Sequence, residues 1–237
     1  MSQDIVVSRD TIKRLARDVR EIMKHPLEDN GIYYVHSDTD MLHGQVLIEG
    51  PADTPYACGH YFFDIRYPKD YPQSPPVFTY DTNDGATRFN PNLYKNGKVC
   101  ISVLNTWRGD QWSPCQTITS ILLSICSVLN DKPLLNEPGF KESDDDFNNY
   151  TRTIEYKNYS VGIVMMLESD YIKNKYPELY ETSKKVFVKN YENIVKNTEK
   201  YVGDKVHTIT TRVYSMSTIV NYKKTIETIH TLYKQLA

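Results

Sequence analysis

One cysteine, Cys100, stands where it could serve as a nucleophile. It lies between Val99 and Ile101, shortly after the pair Asn96-Gly97, which is typical of a tight turn. The surrounding segment 81–112 shows neither helical nor strand periodicity, and irregular segments of that length in a compact domain are often functional. A cysteine flanked by aliphatic residues is more often a packed core residue. Two interpretations therefore stay open, a buried thiol and a nucleophile that attacks an acyl group.

The neighbourhood of Cys100 in the sequence contains cations but no histidine. The cations are Lys95, Lys98 and Arg108, and positive neighbours favour the thiolate form of a cysteine. No histidine occurs between His60 and His207. A cysteine hydrolase would thus need a histidine brought from outside this segment, which keeps that class as a distant alternative.

The other three cysteines argue against metal and disulfide chemistry. They are Cys58, Cys115 and Cys126, and no C-x-x-C pair is present. Four cysteines in 237 residues do not make a disulfide scaffold. We expect free thiols, no metal and a reducing compartment, the cytoplasm or the nucleus. We also expect Cys115 and Cys126 to be packed.

The bulk composition excludes two classes of partner. Apolar residues make up 40% of the chain and charged residues 24%, with a net charge of −2. This is an ordinary globular balance, and it gives no electrostatic reason to expect nucleic acid or an acidic membrane surface. The longest apolar runs are too short to span a bilayer.

The elements that must position Cys100 begin with a helix over residues 9–24. Ser8 can cap its start and Pro26 ends it. Its apolar residues repeat at helical spacing, and a second stripe beside them is basic. That stripe contains Lys13, Arg17, Arg20 and Lys24, for which a solvated surface is the ordinary interpretation.

Strands follow, and then a second helix. The alternation of Tyr61, Phe63, Ile65 and Tyr67 predicts a half-buried strand. Further strands are predicted at 32–35, 42–48 and 77–80, and because no helix separates them we expect an antiparallel meander. A helix is predicted over 114–130, with Ser113 as N-cap, Pro114 at the first position and Gln116 completing a capping box.

Beyond residue 140 the pattern predicts only helices. Two are expected at Phe147–Glu168 and Glu178–Tyr201. A third is expected from an a/d seam of Ile219, Tyr222, Ile226, Ile229, Tyr233 and Leu236. We therefore predict an α+β catalytic core over residues 1–146 and a C-terminal helical extension over residues 147–237.

Several motifs in a fixed order make the segment from about residue 8 to residue 140 resemble the ubiquitin-conjugating enzymes, most of all their large Z-type subgroup. They include Asp64-Ile65-Arg66-Tyr67-Pro68, Phe89-Asn90-Pro91-Asn92, Asn96-Gly97-Lys98-Val99-Cys100, Thr106-Trp107, Trp112-Ser113-Pro114 and Asn136-Glu137-Pro138-Gly139-Phe140. An ordered series of motifs is more specific than any single one. The resemblance implies that family's core, with an N-terminal helix, a four-stranded meander, an active-site loop and a central helix.

The resemblance also implies roles for particular residues. Cys100 would accept ubiquitin or a ubiquitin-like modifier from an activating enzyme as a thioester, for transfer to lysine amines of protein substrates. Asn92 would donate to the oxyanion or order the loop. The basic residues Lys13, Arg14, Arg17 and Arg20 would meet the activating enzyme. No cofactor is implied, since ATP is consumed by the upstream enzyme.

The chain departs from the common family pattern at three places. Asn90 stands where most members have histidine, although the Z-type subgroup shares the asparagine. The acidic residue that many members place near the incoming lysine has no secure match, so either Asn136 or Glu137 is a candidate. Gln73 replaces an apolar residue of ligase-binding members, which leaves docking of ubiquitin ligases undecided. A non-catalytic ubiquitin-binding variant of the fold is the main alternative, but such variants lack the cysteine.

Overall fold

The computed structural model describes residues 7–237, and its first element is the predicted N-terminal helix. Helix α1 spans Arg9–Lys24. The Ser8 side chain accepts a hydrogen bond from the Thr11 N–H at 3.0 Å, so the predicted cap is confirmed. Leu15 and Ile22 are buried on its inner face, as the apolar stripe predicts.

Four strands form the predicted antiparallel meander. They are β1 (Ile32–His36), β2 (His43–Glu49), β3 (His60–Arg66) and β4 (Val77–Tyr80), in the spatial order β1-β2-β3-β4. Val46 lies opposite Phe63, which in turn lies opposite Tyr80. The α+β class and the meander are thus confirmed.

Helix α2 spans Ile118–Val128 and begins four residues later than predicted. Its N-cap is Thr117, which exchanges hydrogen bonds with Ser120 in a capping box. The prediction of Ser113 as N-cap is wrong. The carbonyls of Pro114 and Gln116 instead accept hydrogen bonds from the guanidinium of Arg14 in α1, which holds the preceding segment out of the helix.

The extension contains four helices and a β-hairpin. Helix α3 (Asp146–Lys157) continues as a π-helix, Asn158–Met165, and a last helical turn, Met166–Glu168. Then come α4 (Asp170–Lys175), α5 (Pro177–Thr198), β5 (His207–Thr211), β6 (Met216–Val220) and α6 (Tyr222–Leu236). Within residues 7–237, no helix combines the length and the apolar composition that a membrane crossing requires.

The hairpin of β5 and β6 overturns the prediction that the extension is all helical. Ile219, the first residue of the predicted seam, lies on β6 and is 69% exposed. The helix begins only after Asn221, whose side chain accepts from the Lys224 N–H at 3.1 Å and caps it. The missed signal is the pair of consecutive β-branched runs at 208–211 and 218–220, since such residues are enriched in strands.

The extension covers the outer face of the sheet, which gives β2 and β3 two buried faces. The prediction that β3 is half-buried is therefore wrong, because the extension packs on the face that the sequence pattern left to solvent. The Gln45 side chain donates to the Lys175 carbonyl at 2.8 Å, and Asn190 donates to the Glu49 carboxylate at 2.6 Å. Between these anchors, Phe62 contacts the Tyr176 ring with centroids 5.2 Å apart. One apolar cluster therefore joins residues on both sides of position 146, and the division of the chain there stays a prediction.

Candidate active site

Cys100 and Asn92 face each other across a short antiparallel turn. Leu93 and Val99 form a bridge, and the chain reverses at the predicted Asn96-Gly97 turn, where Gly97 has a φ of 87°. The Cys100 N–H donates to the Asn92 carbonyl at 2.8 Å, and the Asn92 side-chain amide donates back to the Cys100 carbonyl at 2.5 Å. The structure therefore brings together the two residues that the resemblance pairs.

The Cys100 side chain is buried in this conformation. The residue is 2% exposed, so the commoner expectation for a cysteine between aliphatic neighbours holds for its packing. Ser102–Leu104 form a single 3₁₀ turn directly after it. The following segment folds back, since a Cβ added at Gly109 would lie 3.1 Å from the Ser102 Cβ. Loading a modifier onto this sulfur thus requires a local opening.

Thr106 orders the chain around Cys100. Its hydroxyl accepts from the Ile101 N–H at 3.0 Å and lies 3.0 Å from the Val99 carbonyl. Farther along, the Trp112 N–H donates to the side chain of Asn105, which has a positive φ of 56°. These bonds stabilise an irregular backbone whose polar groups no strand or helix could satisfy.

A buried amide network supports the Asn-Pro-Asn turn from behind. The Asn90 amide donates to the Tyr56 hydroxyl at 2.8 Å and to the Val128 carbonyl at 2.7 Å. Its oxygen accepts from the Asn92 N–H at 2.9 Å and from the Asn136 amide at 3.2 Å. A neutral imidazole has one donor and one acceptor, whereas this asparagine makes four hydrogen bonds. That geometry accounts physically for an asparagine rather than a histidine at this position.

The two candidates for orienting a lysine have different surroundings. Asn136 belongs to the amide network, where it also donates to the Val128 carbonyl at 2.9 Å and accepts from the Asn130 amide. Glu137 is partly exposed and accepts a hydrogen bond from the hydroxyl of Tyr214 in the extension. Both side chains are engaged within the protein, and a lysine-orienting role for either stays a prediction.

The basic residues of α1 fall into two groups. The exposed side chains are those of Arg9, Lys13, Arg17, Arg20 and Lys24. Arg14 is partly buried and forms an ion pair with Asp18 at 2.8 Å while it holds the segment before α2. Of the residues predicted to meet the activating enzyme, Arg14 is therefore committed to internal contacts.

The remaining thiols and cations do not add to the site. Burial, followed by the negative charge of Glu49, raises the pKa of Cys58 to about 11. Burial also raises the pKa of Cys126, which is half-buried. Cys115 is exposed, so the expectation that it packs is wrong. Lys95 donates to the Tyr214 carbonyl at 3.3 Å, and Lys98 lies 5.9 Å from the centre of the Tyr94 ring.

Two kinds of chemistry find no support in this arrangement. Among residues 7–237, no hydrogen bond joins a histidine to Cys100, which a cysteine hydrolase would need. In the same part of the chain, no group of three or more histidine, cysteine, aspartate or glutamate side chains is placed to hold a metal ion.

Comparison with known proteins agrees with the resemblance that the sequence motifs indicated. The chain belongs to the ubiquitin-conjugating enzyme family, whose model matches residues 14–160. Within that family it is similar to ubiquitin-conjugating enzyme E2 Z. Identity to the Danio rerio protein is 41% over 189 residues, which cover 78% of this chain and 56% of that protein. Identity to the Homo sapiens protein is 43% over 158 residues, which cover 65% and 44%.

Two further similarities complete the comparison. The human dual E2 ubiquitin-conjugating enzyme/E3 ubiquitin-protein ligase BIRC6 is 36% identical over 201 residues, covering 81% of this chain and 4% of that protein. The solved structure of human ubiquitin-conjugating enzyme E2 G1 is 35% identical with a TM-score of 0.44, covering 51% of this chain and 94% of that one. The predicted resemblance to the Z-type subgroup is confirmed, and the comparisons do not support the non-catalytic alternative. The chain spans about half the length of the E2 Z relatives.

Proposed function

We propose that Cys100 accepts the C-terminus of ubiquitin or a ubiquitin-like modifier from an activating enzyme and passes it to lysine amines of protein substrates. The Cys100 thiolate attacks the carbonyl carbon of the incoming thioester, and the thiolate of the activating enzyme leaves. A lysine amine then attacks the new thioester, the Cys100 thiolate leaves, and the amine loses a proton to solvent. The acyl group arrives activated, so this chain supplies positioning and charge stabilisation rather than proton transfer.

The observation that carries this proposal is the paired contact between Asn92 and Cys100. Within residues 7–237, the Asn92 Nδ2 donates only to the Cys100 carbonyl, at 2.5 Å. Its second N–H is therefore left for the oxyanion that forms on an acyl group at the sulfur. Both tetrahedral intermediates carry that oxyanion, and an oriented donor in a dry site stabilises it.

The Cys100 sulfur is buried, so a modifier can reach it only if a neighbouring segment moves. The segment that follows the 3₁₀ turn after Cys100 is the candidate. In residues 107–111 every residue except Trp107 is exposed, and within residues 7–237 the Gln111 side chain bonds only to carbonyls of the same segment, those of Trp107 and Gly109, at 3.0 Å each. A segment with few buried contacts opens at low free-energy cost. We propose that it moves aside when the modifier is loaded.

The partners follow from the same proposal. The exposed stripe of Lys13, Arg17 and Arg20 suits an acidic surface on the activating enzyme. Family membership implies ubiquitin, an activating enzyme and ligases as partners in general. We place the reaction in the cytoplasm or the nucleus, where thiols remain reduced.

A loading assay tests the proposed function. We expect the chain, incubated with activating enzyme, ATP and ubiquitin, to form an adduct that reducing agent removes. Cys100→Ala should form none, and Cys100→Lys should hold ubiquitin through a bond that survives reducing agent. The readout is electrophoresis with and without reducing agent.

The matched control for this assay is Cys115→Ser, because Cys115 is the exposed thiol of the chain. We expect Cys115→Ser to load as the wild type does. An adduct on Cys100→Ala that is lost in Cys115→Ser would refute the assignment of the nucleophile. A wild type that forms no adduct would favour a binding module, and cleavage of a ubiquitin ester without ATP would favour a hydrolase.

A further inference from the structure

The corner of the β5–β6 hairpin reaches from the extension to the active-site turn. The corner consists of Val213–Ser215, and Tyr214 and Ser215 have positive φ angles of 58° and 48°. Bulky residues rarely adopt that left-handed conformation, and it persists where surrounding contacts enforce it. The Asp146 carboxylate supplies part of that enforcement by accepting from the N–H groups of Arg212 at 3.0 Å and Val213 at 2.6 Å.

Tyr214 forms one wall of a clamp on Arg88. The guanidinium carbon of Arg88 lies 3.4 Å from the centre of the Tyr94 ring and 4.4 Å from the centre of the Tyr214 ring. A planar cation between two aromatic faces is attracted to both and keeps its orientation. So held, the guanidinium donates to the Pro91 carbonyl at 2.6 Å. Pro91 is the central residue of the turn and directly precedes Asn92.

The same tyrosine also contacts the other side of the turn. Its hydroxyl donates to Glu137, the neighbour of Asn136 in the buried amide network. Burial, and after it the Glu137 carboxylate, raises the pKa of Tyr214, so the hydroxyl stays protonated and donates. Its carbonyl accepts from the Lys95 ammonium at 3.3 Å. Tyr214 thus bonds to Lys95, which follows Asn92 in the chain, and to Glu137, which adjoins the amide network that supports Asn92.

We propose that Tyr214 is a positioning residue for the transfer reaction, acting through Arg88 on the turn that carries Asn92. The inference rests on the proposed function. It assigns the extension a part in the chemistry beyond covering the sheet. A misplacement of a catalytic group by about 1 Å can lower a rate up to about 100-fold, so the loss of one wall of the clamp should be measurable.

The test compares substitutions at Tyr214 with a matched tyrosine elsewhere in the extension. Tyr214→Gly removes the ring, and glycine adopts the φ of 58° without strain. We expect discharge of ubiquitin from Cys100 to free lysine to slow about tenfold, and Tyr214→Phe, which keeps the ring on Arg88, to restore most of the rate. The control is Tyr201→Gly. Tyr201 likewise stacks on an aromatic ring, that of Tyr222, and donates to a glutamate, Glu155, at 2.6 Å.

A double-substitution experiment separates positioning from a purely structural role. If Tyr214 acts through Asn92, Tyr214→Gly should slow discharge less than about twofold in an Asn92→Ala background, because effects within one unit are not additive. In the otherwise wild-type chain, Tyr214→Gly should lower the maximal rate of discharge. The lysine concentration that gives half of the maximal rate should stay unchanged. A structural role would lower the rate by the same factor in both backgrounds, and that result would overturn the proposal.

The outcomes distinguish this inference from the proposed function. If the wild type discharges ubiquitin and Tyr214→Gly does so equally fast, the positioning role is overturned and the function stands. If Tyr201→Gly slows discharge as much as Tyr214→Gly, the effect is general and the positioning role is likewise overturned. If the wild type loads neither ubiquitin nor any ubiquitin-like modifier from its activating enzyme, both proposals are overturned.

Discussion

Asn92→Ala should slow the transfer of ubiquitin from Cys100 to free lysine by about 100-fold, which corresponds to about 3 kcal/mol at the transition state. The Asn92 side-chain amide donates to the Cys100 carbonyl at 2.5 Å, so it is already fixed against the backbone of that residue. Alanine removes both N–H groups from that place. A pre-oriented donor costs no reorganisation when the oxyanion forms, which is why its loss is large. The measurement is a single-turnover chase of loaded enzyme into lysine.

Asn96→Ala is the matched control for this prediction. Asn96 is an exposed turn residue four positions away, and its oxygen accepts from the Lys98 N–H at 3.2 Å. We expect it to change the rate of discharge less than about twofold, because exposed turn contacts contribute little. If Asn92→Ala and Asn96→Ala discharge alike, the oxyanion role is wrong.

Asn92→Asp distinguishes donation from loop ordering. The carboxylate keeps the size of the amide but has no N–H to donate. A donor role predicts that Asp is as slow as Ala while the loaded thioester still forms. If Asn92 only orders the loop, the Asn92 variant with the larger loss of melting temperature should also show the larger loss of discharge rate.

A chain truncated after residue 146 should not reach a stable folded state. The extension buries the outer face of β2 and β3, where Leu47, His60 and Phe62 each have 0% exposure. Truncation exposes these side chains and removes the partners of Gln45 and Glu49. Burial of one large apolar side chain contributes about 1.5–3 kcal/mol. The loss of several is comparable with the whole stability of a domain, about 5–15 kcal/mol.

The truncated chain can be checked by its soluble yield and by thermal unfolding followed by circular dichroism. We expect aggregation, or binding of a hydrophobic dye without a cooperative transition. The matched variant carries Leu47→Thr and Phe62→Thr in the truncated chain. These changes restore the pattern of an antiparallel sheet with one solvated face, and they should recover part of the soluble yield.

The outcome bears on the predicted division of the chain at residue 146. A truncated chain that is soluble and unfolds cooperatively at the temperature of the full chain would show two units that fold separately, as the sequence pattern suggests. Aggregation would show that the extension completes the fold of the core. Activity assays on the truncated form would then report misfolding, so single substitutions such as Tyr214→Gly are the better probe of the extension.

The sequence alone predicted the elements whose residues are close together in the chain. The periodic apolar residues of α1 and the alternation in β3 predicted both elements at the observed positions, because helix and strand geometry repeats over a few residues. The Asn96-Gly97 turn likewise predicted the reversal that places Asn92 beside Cys100, eight residues away. The hairpin of β5 and β6 was also readable, but the apolar seam from Ile219 to Leu236 obscured it.

Only the tertiary structure decided the contacts between distant residues. Arg14 meets the carbonyls of Pro114 and Gln116 about a hundred residues away, and Tyr214 meets Glu137 across 77 positions. No local pattern encodes these contacts, because they depend on how completed elements pack and on which buried polar groups then need partners. The burial of Cys100 was decided in the same way. Sequence periodicity reports which face of an element is apolar, whereas the packing of other elements decides what covers that face.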